Sequence, residues 1–190
     1  MADAEAFLGA SLSAAIRLGA ERVLADELPD ELELEPKPRL RFRRGRLVTQ
    51  KTRAFEALGF QRFSELRAKA VQSVLLRVLS GPVSGVFAAI YDQNGAPFGI
   101  SAILEDGARF GITTVPKGRD WPEPPTHETH WLSPVEPSEG FAVFLERLGG
   151  RPLRATPRSR FVAECKAAWV ERVQFIKAQV PAPRPLSLRR

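Results

Sequence analysis

The sequence has 190 residues, of which 44% are hydrophobic and 26% are charged, as in an ordinary globular protein of one domain. Its single cysteine, Cys165, excludes an intramolecular disulfide and a cysteine-rich zinc module. The 28 basic residues outnumber the 22 acidic ones, and the net charge of +6 bears on solubility and partners rather than on fold. No run reaches the roughly 18 apolar residues of a membrane span, and the N-terminus begins with acidic residues. We therefore expect no membrane span and a cytoplasmic location.

Residues 1–28 predict an N-terminal amphipathic helix, because their apolar residues recur at roughly helical spacing. Residues 29–47 follow as a charged linker or extended arm, in which an acidic run gives way to a basic run. Pro36 and Pro38 separate the two runs and disfavour helix between them. We interpret this segment first as a solvated linker whose opposite charges attract each other.

Residues 48–179 predict an α+β domain that opens with a helix over Thr49–Leu58, ended by Gly59. From Phe60 onward, short apolar runs alternate with strong turn signals, of which Asn94-Gly95 and Asp106-Gly107 favour hairpins. The clearest runs are Val71–Leu79, Val86–Tyr91, Phe98–Leu104 and Arg109–Val115. This pattern predicts an antiparallel meander of about five strands, with Val86–Tyr91 at its centre.

The rest of the domain is predicted as a loop followed by two helices. Six prolines make Pro116–Pro137 a long irregular loop. Ser138 is the expected N-cap of the next helix, and Gly149-Gly150 ends it. A last helix begins at Ser159 with an apolar stripe, and residues 180–190 form a disordered, basic, proline-rich tail. The predicted fold is therefore a meander covered on one face by N-terminal and C-terminal helices.

The order of Ala57–Phe60, Val86–Tyr91 and Gly111–Thr114, followed by a proline-rich loop with His130, resembles a known group. The group is a loose set of bacterial α+β proteins described as uncharacterised. The resemblance covers about residues 55–178 and implies a helix–meander–helix layout. It implies no activity, cofactor or site residue.

Two histidines on the proline-rich loop are candidate metal ligands. His127 and His130 flank Glu128, and a helical turn would bring both imidazoles toward one ion. Their spacing differs from that of the zincin helix, in which the histidines are four residues apart. A hydrolytic zinc site also requires a third ligand and a carboxylate base. A metal-dependent enzyme using His127, His130 and Glu128 is thus one alternative function.

A second alternative is nucleic-acid binding through the arginine-rich segment 37–53. Its basic side chains are dense enough to neutralise several phosphates, and Phe42 could stack on a base. The candidate contacts are Arg39, Arg41, Arg43, Arg44 and Arg46. Against this function, the preceding acidic run would compete for the arginines, and no zinc-finger or RRM signature accompanies them.

The usual motifs of nucleophilic and phosphate chemistry are missing. The sequence has no Gly-x-Ser-x-Gly elbow and no glycine-rich loop before Gly-Lys-Ser or Gly-Lys-Thr. Cys165 lies on the apolar stripe of the last helix, where a buried thiol is inert. We predict no catalytic residue and no cofactor. The leading interpretation is a non-catalytic protein-interaction or scaffold module that binds a protein partner or self-associates.

Overall fold

The computed structural model describes residues 25–37, 39–69, 73–116 and 122–179. Most of the predicted N-terminal helix, residues 1–28, lies outside these residues, as does the predicted tail of residues 180–190. The segment predicted as a charged linker, residues 29–47, is described except for Pro38. It contributes one strand to the sheet and the start of a helix.

A seven-stranded sheet forms the centre of the fold, and its strands lie side by side in chain order. Neighbouring strands are antiparallel except for the last pair, which is parallel. The strands are β1 (Glu33–Pro36), β2 (Gln61–Lys69), β3 (Ser73–Ser80), β4 (Phe87–Tyr91), β5 (Phe98–Ile103), β6 (Arg109–Thr113) and β7 (His127–Trp131). The predicted α+β class is confirmed, and β4 is the central strand as expected.

The predicted number of about five strands was wrong because it missed both outer strands. Strand β1 lies in the predicted linker and carries no strong apolar signal. Its pairing with β2 is supported by Lys69, whose Nζ lies 3.2 Å from Glu33 Oε2 and 2.6 Å from Glu35 Oε1. Strand β7 lies in the segment predicted as an irregular loop, but its five residues contain none of the prolines of that segment.

Three helices accompany the sheet, namely α1 (Gly45–Ala57), α2 (Pro137–Leu148) and α3 (Phe161–Gln179). The first begins four residues before the predicted start, and the side chain of its N-cap residue, Arg44, makes no capping hydrogen bond. Instead, the Asp92 carboxylate accepts hydrogen bonds from the backbone N–H groups of Arg43 and Arg44, both at 2.7 Å. A carboxylate there complements the positive end of the helix. The hairpin between β4 and β5 therefore fixes where α1 begins.

The helices cover both faces of the sheet, which corrects the prediction of one covered face. Along β4, Ala88 and Ile90 join the core beneath α1 and α2, whereas Phe87 and Ala89 join the cluster beneath α3. We call these two sides the α1–α2 face and the α3 face. A central strand buried on both sides requires a cover on each.

Aromatic rings fill the α1–α2 face. The Phe55 ring of α1 lies 5.0 Å from the Phe60 ring and 5.2 Å from the Phe98 ring, in edge-to-face arrangements. Helix α2 approaches β5 closely through Gly140, where an added Cβ would lie 2.8 Å from the Phe98 ring. Phe144 of α2 is fully buried in the same core. Close contacts of this kind are the main stabilising element of the fold.

We expect Phe55→Ala to lower the free energy of unfolding by about 3–5 kcal/mol, because it removes a fully buried ring and leaves a cavity. Leu145→Ala is the control, since Leu145 is 44% exposed on α2 and its loss should cost less than about 0.5 kcal/mol. Equilibrium unfolding in urea measures both values. Similar losses in the two variants would contradict the packing described above.

Candidate functional site

A cavity of about 370 Å³ lies between α3 and the sheet face that this helix covers. We call it the α3 cavity. Strands β4 to β7 form its floor, α3 forms its roof, and Leu32 and Leu34 line it on the β1 side. Its volume falls within the range of about 300–1,000 Å³ that small-molecule sites occupy.

The cavity exists because the central strands place small side chains on the α3 face. Large residues of the same strands, such as Phe98, Ile100 and Phe110, belong to the core on the other face. Strand register aligns the small residues in two neighbouring rows, namely Ala89, Gly99 and Thr113, and Ser101, Gly111 and Thr129. The sheet therefore leaves space beneath α3 instead of filling it.

The backbone conformation at Gly99 does not require a glycine. Its φ lies outside the positive range, so other residues could adopt the same conformation. A Cβ built at Gly99 would come no closer than 3.4 Å to a neighbouring atom, the carbonyl oxygen of Ile112. Glycine inside a strand weakens it and often marks the close approach of a ligand. The glycine here contributes open volume.

Helix α3 crosses the cavity between two fixed points. Near its start, the Phe161 ring packs 5.0 Å from the Phe87 ring. Farther along, Trp169 Nε1 donates a hydrogen bond of 2.8 Å to the carbonyl oxygen of Pro29. Between these contacts the helix presents the small side chain of Ala168 to the cavity. The roof is thus held at both ends and leaves room beneath its middle.

The polar side chains of the cavity gather where β6 and β7 pair Arg109 with His127. Arg109 Nη1 lies 3.5 Å from Glu164 Oε2, and Arg109 Nε lies 3.7 Å from Glu171 Oε2. His127 Nε2 lies 3.3 Å from the same Glu171 oxygen. Glu171 also accepts a hydrogen bond from the Thr126 hydroxyl. Both carboxylates come from α3, so the helix and the sheet meet through charges at this end.

Arg109 has unused hydrogen-bonding capacity. Its Nε is buried and has no hydrogen-bond partner among the described residues. The contact to Glu164 is at the limit of hydrogen-bond length, and the contact to Glu171 is beyond it. A buried donor without a partner costs about 1–3 kcal/mol. Within the described ranges, Arg109 therefore makes no short hydrogen bond.

Burial shifts the titration of three side chains that line the cavity. It raises the pKa of Tyr91 to about 12, and it raises the pKa of Cys165 to about 12 as well. It lowers the pKa of His127, because desolvation outweighs the attraction of Glu171. All three groups are consequently held in their neutral forms near neutral pH, and Cys165 is not a thiolate nucleophile.

The structure does not bring the predicted metal ligands together. His127 lines the α3 cavity, whereas the His130 ring contacts Phe110 on the opposite face of the sheet. Glu128 lies beside His130 on that opposite face. Its Oε1 lies 2.7 Å from His130 Nε2, and its Oε2 lies 2.7 Å from Arg151 Nη1. Within the described ranges, no group of three His, Cys, Asp or Glu residues is placed to hold a metal ion. The metal site stays a prediction.

The arginine-rich segment is exposed, and the acidic run before it is occupied elsewhere. Glu33 and Glu35 contact Lys69, and Glu35 also contacts Lys37 at 3.4 Å. The Arg44 side chain donates to Asn94 at 2.6 Å. Within residues 37–53, the exposed arginines that take no part in the ion pairs of the described residues are Arg39, Arg41, Arg43, Arg44, Arg46 and Arg53. The expected competition from the acidic run is therefore not seen at Glu33 or Glu35.

A protein-interaction surface is less well defined. The large hydrophobic side chains that are clearly exposed within the described ranges are Leu47, Val83 and Leu145. They belong to α1, to the turn before β4 and to α2, and single exposed hydrophobic residues are normal for a soluble protein. The predicted role in protein interaction or scaffolding stays a prediction.

Sequence interpretation singled out His127 and Cys165 but missed the α3 cavity that both residues line, although one signal was present. In β5 and β6, large apolar residues alternate with Gly99, Ser101, Gly111 and Thr113. Alternation of large and small residues in strands covered on both faces indicates unfilled space on one face. Arg109 gives no comparable signal, because its partners come from a distant helix.

No protein-family model matches the chain, and comparisons with curated proteins and with solved structures found no match. The resemblance to bacterial α+β proteins therefore stays a prediction. Among the described residues, no helix combines the length and apolar character needed to cross a membrane. Function must consequently be argued from the site itself.

We expect His127 to make folding stability depend on pH. Because the pKa of His127 in the folded chain lies below its ordinary value of 6.5, the unfolded chain takes up this proton first as the pH falls. The free energy of unfolding should decrease from about pH 7 to about pH 5, and His127→Gln should flatten this decrease. Denaturant unfolding at a series of pH values provides the measurement. Equal slopes for the two proteins would contradict the prediction.

Proposed function

We propose that this protein binds a small, largely apolar molecule in the α3 cavity. The observation that carries the proposal is the cavity of about 370 Å³ that Gly99 helps to line. A Cβ at Gly99 would make ordinary van der Waals contacts at 3.4 Å and beyond, so neither the backbone conformation nor a steric clash requires glycine there. A cavity of this volume that is open to solvent and lined mainly by apolar surface is typical of a small-molecule site.

Access from solvent supports the proposal. Ser101 lies on the cavity floor and is nevertheless exposed, so water reaches the floor from outside. The walls combine apolar surface from Leu76, Phe161 and Trp169 with a few polar groups at one end. This combination of an apolar body and a small polar cluster is typical of ligand sites.

The probe for this function is N-phenyl-1-naphthylamine, a neutral apolar dye whose fluorescence increases in apolar surroundings. We expect the wild-type protein to bind it at one site. Gly99→Leu should weaken binding about tenfold or more, corresponding to about 1.4 kcal/mol or more, because the leucine side chain occupies the cavity. Fluorescence titration measures both affinities.

Gly45→Leu is the matched control, since Gly45 also has open space around its Cβ position but lies at the start of α1. It should leave dye binding unchanged. Ala168→Leu fills the cavity from the roof and replaces Gly99→Leu if that variant does not fold. Failure of the wild type to bind the dye, or full binding by both filled variants, would refute the proposed function.

A second function, nucleic-acid binding by the arginine-rich segment, is favoured by one specific observation. Glu33 and Glu35 of the acidic run contact lysines, so these two carboxylates do not neutralise the neighbouring arginines. The exposed side chains of Arg41, Arg43 and Arg46 are available to phosphates. This function uses none of the residues of the α3 cavity.

We expect a fluorescent single-stranded oligonucleotide to bind with an affinity that falls as salt rises. The measured quantity is the slope of log K against the logarithm of the salt concentration. Replacing Arg41, Arg43 and Arg46 with Ser should reduce the magnitude of this slope by about two, since each lost phosphate contact on a single strand removes about 0.7. Fluorescence anisotropy across a salt series provides the measurement. The control replaces Arg62, Arg158 and Arg160, which carry the same charge on other elements. Equal loss in both triple variants would show that only net charge matters.

A further inference from the structure

We infer that the molecule bound in the α3 cavity carries one negative charge, such as a carboxylate, and that Arg109 binds this group. The inference rests on the proposed function and specifies its ligand as a monoanion with an apolar body.

The position of Arg109 suits the recognition of a ligand head group. Its side chain lines the α3 cavity and also a smaller adjoining cavity of about 110 Å³. Only 21% of the side chain is exposed, so water weakens its interactions less than at the surface. An apolar body that lies along β5 and β6, over Gly99 and Gly111, would place its polar end toward Arg109, because Gly111 and Arg109 lie two residues apart on the same face of β6.

The present partners of Arg109 have closer partners of their own. Glu164 lies 2.9 Å from Arg154 Nη2, compared with 3.5 Å from Arg109 Nη1. Glu171 accepts a hydrogen bond from Thr126, whereas its contact to Arg109 measures 3.7 Å. Arg109 can therefore bind another acceptor without leaving either carboxylate unpaired. Arg109 Nη1, whose only hydrogen-bond contact within the described ranges is the one of 3.5 Å to Glu164, would gain a closer acceptor.

The charge balance of this cluster also favours a single anion. Within the described ranges, the ion pairs connected to Arg109 join three arginines and two glutamates, namely Arg109, Arg154 and Arg160 with Glu164 and Glu171. These three positive and two negative charges leave an excess of one positive charge. Because His127 is neutral near neutral pH, it adds none. One carboxylate would make the cluster neutral, whereas a cation would increase the imbalance.

A guanidinium group is well suited to binding a carboxylate. Arg carries five N–H donors in a planar fork that matches the two oxygens of a carboxylate, and such charge-assisted pairs are stronger than neutral hydrogen bonds. A neutral ligand of the same shape carries no charge to pair with the guanidinium group. The cavity should therefore distinguish an acid from the corresponding alcohol.

The test compares decanoate with 1-decanol, which share an apolar chain and differ in the charged group. Each competes with N-phenyl-1-naphthylamine for the wild-type protein, and calorimetry measures their binding directly. We expect decanoate to bind about tenfold or more tightly than 1-decanol, as charge-assisted hydrogen bonds imply. Arg109→Gln should abolish this preference and leave the affinity for 1-decanol unchanged.

Two further variants separate charge from geometry. Arg109→Lys keeps the charge but loses the planar fork, so it should retain part of the preference for decanoate over 1-decanol. This variant also replaces Arg109→Gln in the test if Arg109→Gln does not fold. Arg53→Gln removes one charge from the exposed side of α1 and should retain the full preference. Loss of preference in Arg53→Gln equal to that in Arg109→Gln would overturn the role of Arg109.

The outcomes distinguish this inference from the proposed function. If decanoate and 1-decanol bind the wild type equally well and both displace the dye, the inference that the ligand is a monoanion is overturned. The proposed binding of an apolar molecule is then still supported. Absence of binding for the dye and for both competitors overturns the proposed function and this inference together. A decanoate preference that depends on Arg109 supports both.

Discussion

The division of large and small side chains between the two faces of β4, β5 and β6 determines the rest of the structure. Helices cover both faces, so both would be expected to carry bulky apolar residues. Phe98 and Phe110 fill the α1–α2 face completely, whereas Gly99 and Gly111 leave the α3 face open. The close-packed α1–α2 face therefore stabilises the fold, whereas the α3 face is less closely packed. The cavity depends on this asymmetry.

The two cationic regions of the molecule differ in their physical character. Arg109 is largely buried, so its interactions are short-ranged, directional and weakly screened by salt. The arginines near α1, such as Arg41 and Arg46, are exposed to water, where attraction extends over about 10 Å at moderate salt and weakens as salt rises. A small ligand and a polyanion would consequently use separate residues, and a substitution could remove either property alone.

Local signals in the sequence were sufficient for the fold class and for the hairpins, because turns such as Asn94-Gly95 act within a few residues. They were insufficient for β1, whose pairing depends on a distant partner, Lys69 of β2. The space above Gly99 follows from alternating residue size, but only once both faces are known to be covered. Arg109 could not be identified at all, because its contact Glu164 lies 55 residues away.

The hydrogen bond from Trp169 to Pro29 joins residues that are 140 positions apart in the chain. It fastens the roof of the cavity to the segment that leads into β1, the outermost strand of the sheet. Lys177 reinforces the attachment through a contact of 2.8 Å with Asp30. The position of the roof over the cavity thus depends in part on Pro29 and Asp30, which lie outside the cavity lining.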